Sequence, residues 1–186
     1  MAITSQQAQA VWDRARCLYD NDQVQTAIDC LAKDISEVLA DTNPLVLSVM
    51  NGGLIPTGQL LTRLHFPLHV DYLHASRYRG KTSGGALSWS VKPQHELKGR
   101  TVLVVDDILD EGLTLDGILT YCHQQGAEKV YSCVLVEKLH DRKHGCRHAD
   151  FVGLQIEDVY VFGYGLDYKG YLRNAPGIYA VDELEE

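Results

Sequence analysis

A chain of 186 residues is long enough to form one domain with a substantial apolar core. Apolar residues make up 45% of it and charged residues 23%, which is ordinary globular composition and argues against a disordered chain. The net charge of −8 argues against nucleic acid or an anionic membrane surface as a partner, because both are bound by clustered Lys and Arg. A small anionic substrate bound by local amide groups is compatible with that charge.

The five cysteines are scattered and form no CxxC pair, which predicts reduced thiols in a cytoplasmic protein. No apolar run approaches the roughly 20 residues of a membrane-spanning helix. The first residues also lack the apolar run and small-residue cleavage site of a secretory signal. We therefore expect neither secretion through a signal peptide nor a membrane partner.

Two amphipathic helices are predicted at the start of the chain. Apolar residues share one face over about residues 5–19, with Thr4 or Ser5 as the helix cap. Asp22 can cap a second helix, in which apolar residues recur every three or four positions.

Strands alternate with helices in the rest of the chain. The pattern predicts, in order, a strand at 45–50, a turn at 51–53, a helix at about 54–64, a strand at 68–73, a polar loop at 75–86, strands at 86–91 and 101–106, a helix at about 114–125 and a strand at 129–138. This alternation indicates an α/β domain built on a largely parallel sheet. In such sheets, ligands bind beyond the C-terminal ends of the strands.

The most informative segment is TVLVVDDILDEGLTL, residues 101–115. Apolar residues lead into Asp106 and Asp107, a third carboxylate follows at Asp110, and a glycine turn then opens a helix. Carboxylates this close repel one another, so a stable arrangement needs cations or hydrogen-bond donors. A solvated turn is the ordinary explanation for two adjacent acids. The apolar strand before them and the glycine turn after them favour a ligand site instead.

The turn after this strand suits a phosphate, because backbone amides at the start of a helix carry positive partial charge and bind anions. The candidate amides, aided by one hydroxyl group, belong to Glu111, Gly112, Leu113 and Thr114. Acids for a ribose diol or a hydrated metal, beside amides for a phosphate, indicate a phosphoribosyl site.

The same segment resembles the binding signature of type I phosphoribosyltransferases for 5-phosphoribosyl-1-pyrophosphate (PRPP). Other segments are similar to hypoxanthine-guanine phosphoribosyltransferases in order and spacing: SVMNGGLIP, the run Ser76, Arg77 and Tyr78, VEK at 136–138, and YVFGYGLDYKGYLRN at 160–174. The resemblance covers about residues 22–182 of a single domain, 1–186. It implies the type I phosphoribosyltransferase fold, an α/β fold with a largely parallel sheet flanked by helices and a small hood of short strands.

The resemblance implies roles at the PRPP site. Asp106 and Asp107 would face the ribose hydroxyls and a hydrated Mg²⁺, and Asp167 would bind the Mg²⁺ that carries pyrophosphate. Phosphate and pyrophosphate contacts are implied for Asn51, Gly52, Glu111, Gly112, Leu113, Thr114 and Arg173. A non-proline cis peptide is expected between Met50 and Asn51, and Tyr78 would lie in a flap that closes over the reacting centre.

The resemblance also implies how the purine is bound. Asp110 would be the general base near N7 of the purine, and Lys138 would donate to its 6-oxo group. An ammonium group only donates, so it suits hypoxanthine or guanine and disfavours the amino group of adenine. Tyr160 would stack on the base, with the backbone carbonyl of Val161 near its 2-position. A strand-end lysine and a core strand are the ordinary explanations of these two segments.

Several positions depart from the family's common pattern. Glu111 stands where Thr is usual and brings a carboxylate to the phosphate turn, so we expect its side chain to point outward. Asn51 stands where Lys is frequent, and Arg77 where Ser is frequent. A further segment, containing His140, His144, Cys146 and His148, matches no closed zinc pattern and predicts a polar loop.

We therefore expect a purine salvage enzyme that uses Mg²⁺ and converts hypoxanthine and PRPP to IMP and pyrophosphate, as a homodimer or homotetramer. Guanine and xanthine stay open as further substrates, because they depend on the shape around the 2-position. One alternative is a regulator that senses PRPP and binds nucleic acid, which the charge of −8 disfavours. Another is a response-regulator receiver, whose acidic strand should open the domain rather than follow a hundred residues.

Overall fold

The computed structural model describes residues 3–77 and 87–181. The predicted flap residue Tyr78 lies outside these residues. The helices and strands are, in chain order, α1 Ser5–Arg14, β1 Arg16–Asp20, α2 Asn21–Leu39, β2 Leu45–Val49, α3 Leu54–Leu61, β3 His69–Arg77, β4 Leu87–Val91, β5 Thr101–Leu109, α4 Leu113–Gln124, β6 Lys129–Leu139, β7 Phe151–Glu157, β8 Val161–Phe162 and β9 Gly177–Ala180. No helix of the described residues is long and apolar enough to cross a membrane.

The main sheet has six strands in the order β4-β3-β2-β5-β6-β7. All neighbouring pairs are parallel except β4 with β3 at one edge. Strand β2 is buried along its whole length and β5 along its first six residues, which explains why their sequences are almost continuously apolar. The predicted α/β fold with a largely parallel sheet is confirmed.

Helices cover both faces of this sheet. Residues of α2 and α3 pack on one face, around Val46, Leu103 and Leu135. Helix α4 packs on the other face, where Leu115 and Ile118 contact the alternate residues of the same strands. Because side chains alternate along a strand, one apolar run supplies both cores.

A second, small sheet forms the predicted hood, with the antiparallel order β1-β9-β8. Helix α1 packs on it through Ala8 and Val11, which share an apolar cluster with Phe162, Tyr168 and Leu172. The N-terminal helix therefore supports the segment that carries the predicted purine and pyrophosphate residues.

The predicted extent of the first helix, about 5–19, is wrong over its last five residues. The helix ends at Arg14, and Arg16–Asp20 forms β1, which pairs with β9 from Arg16 opposite Ala180 to Asp20 opposite Gly177. Leu18 and Tyr19 pack against the main core from this strand. Their apolar spacing fits a helix equally well, but the backbone of β9 supplies hydrogen-bond partners that only the folded chain brings near.

The predicted cap of the second helix is also wrong. Asp20, not Asp22, is the N-cap: its carboxylate accepts from the backbone N–H of Gln23 at 2.9 Å, and the Gln23 side chain accepts from the Asp20 N–H at 3.0 Å. This reciprocal pair is a capping box, which satisfies two amides at the helix start.

We predict that Asp20→Ala lowers the free energy of unfolding by about 1 kcal/mol, because an unsatisfied helix cap costs that much. Asp22→Ala is the matched control, two residues away in the first helical turn. It should cost roughly 0.3 kcal/mol, from the helix dipole alone. Urea denaturation followed by circular dichroism measures both, and an equal loss in the two variants would contradict the assignment of the cap.

Candidate active site

A cleft of about 840 Å³ lies at the C-terminal ends of the central parallel strands. Residues from the loop after β2, the turn after β5 and the loop before β9 line it. The structure brings all of the residues predicted for PRPP, phosphate and metal into this one cleft, together with the predicted general base Asp110: Asn51, Gly52, Asp106, Asp107, Asp110, Glu111, Gly112, Leu113, Thr114, Asp167 and Arg173. The predicted purine-binding residues Lys138, Tyr160 and Val161 do not line it.

The two adjacent carboxylates lie within β5, not at its end, because the strand runs on to Leu109. Asp106 is 9% exposed and pairs across the sheet with Val134. Burial, together with the negative charge of Asp107, raises the pKa of Asp106 well above its ordinary value. Burial also raises the pKa of Asp107, although the charge of Arg173 opposes it. The site therefore favours a ligand that brings positive charge or hydrogen-bond donors to these oxygens.

The loop after β2 approaches the acidic pair directly. A Cβ atom at position 52 would lie 2.1 Å from Oδ2 of Asp107, so any larger residue there would displace this carboxylate. The peptide between Met50 and Asn51 is cis, as predicted. Gly52 thus sets how closely the proposed pyrophosphate loop lies to the acids.

Arg173 links two of the carboxylates that line the cleft. Its guanidinium lies 2.7 Å from Oδ1 of Asp167 and 3.7 Å from Oδ2 of Asp107. The other oxygen of Asp167 accepts from the backbone N–H of Gly170 at 2.7 Å. Among the described residues that line the cleft, Arg173 is the only Lys or Arg, against five carboxylates.

The β5–α4 turn, residues 110–112, is held from behind by the β6–β7 loop, residues 140–150. The carbonyl of Glu111 accepts backbone N–H groups of His144 and Gly145, at 3.1 and 3.2 Å, and the carbonyl of Gly112 accepts that of Cys146 at 3.1 Å. Helix α4 then begins at Leu113 with no side-chain cap, so its first amides are available to a ligand.

The Glu111 side chain is half exposed, and its carboxylate lies 3.9 Å from the guanidinium of Arg142 in the β6–β7 loop. This contact agrees with the expectation that the side chain points outward. Arg142 also pairs with Asp158. A cation of the β6–β7 loop therefore lies near the carboxylate that departs from the family's common pattern.

A buried ion pair anchors the β6–β7 loop. Glu137 is 2% exposed and accepts hydrogen bonds from Lys143 and from Gln155. Burial acts to raise the pKa of Glu137, but the bonds from Lys143 and Gln155 outweigh it and lower the pKa. Because a buried carboxylate without its partner is strongly destabilising, this pair fixes the loop that supports the β5–α4 turn.

Asp110 has a different environment from the first two acids. The ammonium group of Lys138 lies 3.1 Å from its Oδ2 and 3.7 Å from Asp158, and Nε2 of His140 lies 2.7 Å from its Oδ1. Burial acts to raise the pKa of Asp110, but the hydrogen bond with His140 and the charge of Lys138 outweigh it and lower the pKa. The carboxylate is thus held ionised beside a partly buried cation.

Sequence reasoning missed His140 and Asp158. His140 was grouped with a polar loop, whereas its side chain is 6% exposed and touches the predicted base. A signal was present in the sequence: His140 lies two residues after Lys138, and alternation along an extended segment places such residues on one side. Asp158 precedes Tyr160 in a loop and carried no comparable signal.

The predicted purine-binding residues Tyr160 and Val161 lie outside the lining of the cleft. Tyr160 is half exposed and meets Tyr168 edge-on with ring centroids 5.5 Å apart. Its hydroxyl donates to the backbone carbonyl of Asp167 at 3.4 Å, which ties it to a residue that lines the cleft. Val161 is buried in β8 opposite Ala180, so its side chain belongs to the core.

Comparison with known proteins finds close relatives over nearly the whole chain. Residues 16–169 match the phosphoribosyl transferase domain family. A hypoxanthine-guanine-xanthine phosphoribosyltransferase of Tritrichomonas foetus is 35% identical over 166 residues, 89% of this chain and 91% of that protein. A hypoxanthine-guanine phosphoribosyltransferase of Bacillus subtilis is 30% identical over 167 residues, 89% of this chain and 92% of that protein.

Solved structures of phosphoribosyltransferases are similar to this chain over the same length. A hypoxanthine-guanine phosphoribosyltransferase of Bacillus anthracis superposes with a TM-score of 0.84 at 28% identity, over 89% of this chain and 98% of that one. A structure of a hypoxanthine-guanine-xanthine phosphoribosyltransferase gives a TM-score of 0.79 at 31% identity, over 90% and 94% of the two chains. The similarity is therefore one of the whole fold and not of the acidic motif alone.

We predict that Gly112→Ala lowers the free energy of unfolding by about 2–4 kcal/mol. Gly112 has φ 78°, and an added Cβ would lie 2.0 Å from the backbone oxygen of Cys146. Gly58→Ala is the matched control: nothing lies within 4 Å of its Cβ, and alanine in a helix should stabilise by roughly 0.5–1 kcal/mol. Chemical denaturation measures both, and a neutral Gly112→Ala variant would contradict the packing of the β5–α4 turn.

Proposed function

We propose that this chain, which belongs to the hypoxanthine-guanine phosphoribosyltransferase family, transfers the 5-phosphoribosyl group of PRPP to hypoxanthine. The products are IMP and pyrophosphate, and the enzyme is a pentosyltransferase of purine salvage. One observation carries the proposal: a lysine–aspartate pair, an uncapped helix start and the two adjacent acids of β5 lie together at one edge of the sheet. The names of the relatives support 6-oxopurines as substrates.

The pair Lys138 and Asp110 complements one edge of a 6-oxopurine. The ammonium group donates and the carboxylate accepts, 3.1 Å apart. A 6-oxopurine presents an acceptor at O6 beside a donor at N7–H, so the base would exchange the lysine–aspartate contact for one bond to each residue. Tyr160 would stack on the ring, and the Val161 carbonyl would meet its 2-position. Guanine has the same O6 and N7 edge, so we propose it as a second substrate.

The phosphate groups of PRPP would divide between two anion sites. The amides of residues 111–114 and the hydroxyl of Thr114 would bind the 5′-phosphate, since a helix start favours a dianion. Asn51, Gly52 and Arg173 would contact the pyrophosphate on the other side of the acids. The ribose between them would meet Asp106 and Asp107, which accept hydrogen bonds from its hydroxyls.

The acids also fit Mg²⁺, which prefers carboxylate and phosphate oxygens. Burial raises the pKa of both Asp106 and Asp107, and the charge of Asp107 raises that of Asp106 further, so a nearby cation would stabilise their charged forms. Asp167 would hold a metal ion on the pyrophosphate side. When bound, Mg²⁺ would neutralise the leaving pyrophosphate.

The chain's own residues would then act on the reacting atoms. As the bond from the anomeric carbon to pyrophosphate breaks, positive charge develops on the ribose, and the neighbouring carboxylates stabilise it. N9 of the base bonds to that carbon, and Asp110 takes the proton from N7. In the reverse reaction Asp110 returns the proton to N7. The low pKa of Asp110 keeps it ionised and ready to accept.

We further propose a cytoplasmic homodimer or homotetramer. Five free cysteines support a reducing compartment. Exposed apolar side chains on α3 and β3, namely Leu54, Val70 and Tyr72, offer surface for association of subunits. Light scattering tests the assembly, and a monomeric mass would contradict it. No observation on the described residues favours the regulatory alternative, and membership in the enzyme family excludes a receiver domain.

A panel of bases with PRPP and Mg²⁺ tests the reaction. We expect nucleotide formation from hypoxanthine and guanine, and none from adenine or orotate, because neither offers the O6 and N7–H edge. Nucleotide formation from xanthine would show whether the site accepts a second oxo group, at the 2-position of the purine. A chain that uses adenine or orotate in preference, or no base at all, would overturn the proposal.

We predict that Asp110→Asn lowers kcat by roughly 10²–10⁴, the usual loss when a general base is removed. Asn keeps the size of the side chain but cannot accept the proton. Asp141→Asn is the matched control, an exposed carboxylate of the β6–β7 loop, and should be fully active. Steady-state rates of IMP formation measure both, and an unimpaired Asp110→Asn enzyme would remove Asp110 from this role.

A further inference from the structure

His140 is a buried side chain at the active site for which the reaction described above has no use. Its imidazole is 6% exposed, and Nε2 lies 2.7 Å from Oδ1 of Asp110. The other oxygen of Asp110 lies 3.1 Å from the ammonium group of Lys138. Each oxygen of the carboxylate therefore has its own partner, and the histidine occupies the one that faces away from the lysine.

The hydrogen bonds around His140 fix its tautomer. The backbone N–H of Arg142 donates to Nδ1 at 3.1 Å. A backbone amide can only donate, so Nδ1 carries the lone pair and the proton lies on Nε2. Nε2–H then donates to Oδ1 of Asp110. The arrangement is directional: main chain to imidazole, and imidazole to carboxylate.

We propose that His140 is a positioning residue for the proton transfer, whose Nε2–H holds Oδ1 of Asp110 so that Oδ2 faces N7 of the purine. The proposal rests on the proposed function and deepens it. When O6 of the purine accepts a hydrogen bond from Lys138, Asp110 loses its contact with the lysine. His140 is then the partner that Asp110 keeps. A carboxylate that is 41% exposed would otherwise be free to turn away from N7.

The protons balance in this scheme. The N7–H bond breaks, and the proton bonds to Oδ2 of Asp110. The electron pair of the bond to pyrophosphate leaves with pyrophosphate, while the lone pair of N9 forms the new bond to the ribose. The proton on Nε2 of His140 stays where it is, so the histidine orients Asp110 and exchanges no proton with it.

Several other charged groups surround Asp110. Lys138 faces it from β6, Asp158 lies 3.7 Å from that lysine, and Arg142 pairs with Asp158 and approaches Glu111. Among them, only Lys138 and His140 touch the Asp110 carboxylate. Loss of the His140 bond removes one of the two contacts that keep the pKa of Asp110 low, so that pKa should rise.

A higher pKa of Asp110 changes the pH dependence of activity. Asp110 acts in its ionised form, so activity is present above its pKa and lost as the pH falls through it. A higher pKa therefore moves the acid limb of the kcat/KM profile to higher pH. A merely structural histidine would lower activity at every pH by the same factor.

The experiment compares His140→Leu, which fills the space without a donor, with His140→Gln, which presents an N–H group near the position of Nε2. For His140→Leu we expect the acid limb to move up by about one pH unit. Its kcat should fall roughly 10-fold, with little change in KM for PRPP. His140→Gln should restore the acid limb and most of kcat. Thermal unfolding of both variants is the control that tests whether they are folded.

A readout without turnover separates this inference from the proposed function. Carbon-13 NMR titration of the Asp110 carboxyl, assigned with Asp110→Asn, should give a higher pKa in His140→Leu than in the wild type or His140→Gln. Equal Asp110 pKa values and equal acid limbs in all three proteins would overturn the role of His140, and so would a His140→Gln enzyme as impaired as His140→Leu. A wild-type protein that uses no base would overturn the proposed function, while the titration would still decide whether His140 controls Asp110.

Discussion

Two adjacent carboxylates in the central strand, one buried and one partly exposed, are the constraint around which this active site is built. Asp106 and Asp107 lie side by side where burial and mutual repulsion make two negative charges costly. The protein supplies only part of the compensation: Arg173 is 3.7 Å from Asp107 and is shared with Asp167. The remaining demand for donors and cations is what a ribose diol and a metal-bound pyrophosphate would meet. The unfavourable electrostatics of the unliganded protein thus become a preference for one kind of ligand.

The topology explains why these groups meet. Strand β5 lies between β2 and β6, and the parallel order brings the segments that follow all three strands to one edge of the sheet. The segment after β2 brings Gly52 against Asp107, the turn after β5 provides the helix start, and the end of β6 brings Lys138 to Asp110. The β6–β7 loop stabilises these groups, because its amides bind the β5–α4 turn and its His140 binds Asp110.

The sequence predicted those parts of the structure that depend on local pattern. Continuous apolar runs revealed the buried parallel strands, and the glycine after the acids marked the start of α4. What it could not predict depends on partners far along the chain. Arg16–Asp20 has the apolar spacing of a helix and becomes a strand because β9, about 160 residues later, pairs with it. The importance of His140 was likewise hidden, since a histidine in a basic loop is ordinary until the fold brings Asp110 within 2.7 Å.

Calorimetric titration of PRPP into the protein tests the central claim most directly, because it measures ligand binding to the acidic pair without requiring turnover. The account predicts a binding heat in the presence of Mg²⁺, a large loss of affinity when the metal is chelated, and a weaker metal dependence in an Asp106→Asn, Asp107→Asn double variant. Absence of any heat with both PRPP and Mg²⁺ would contradict it, and so would equal affinity with and without the metal.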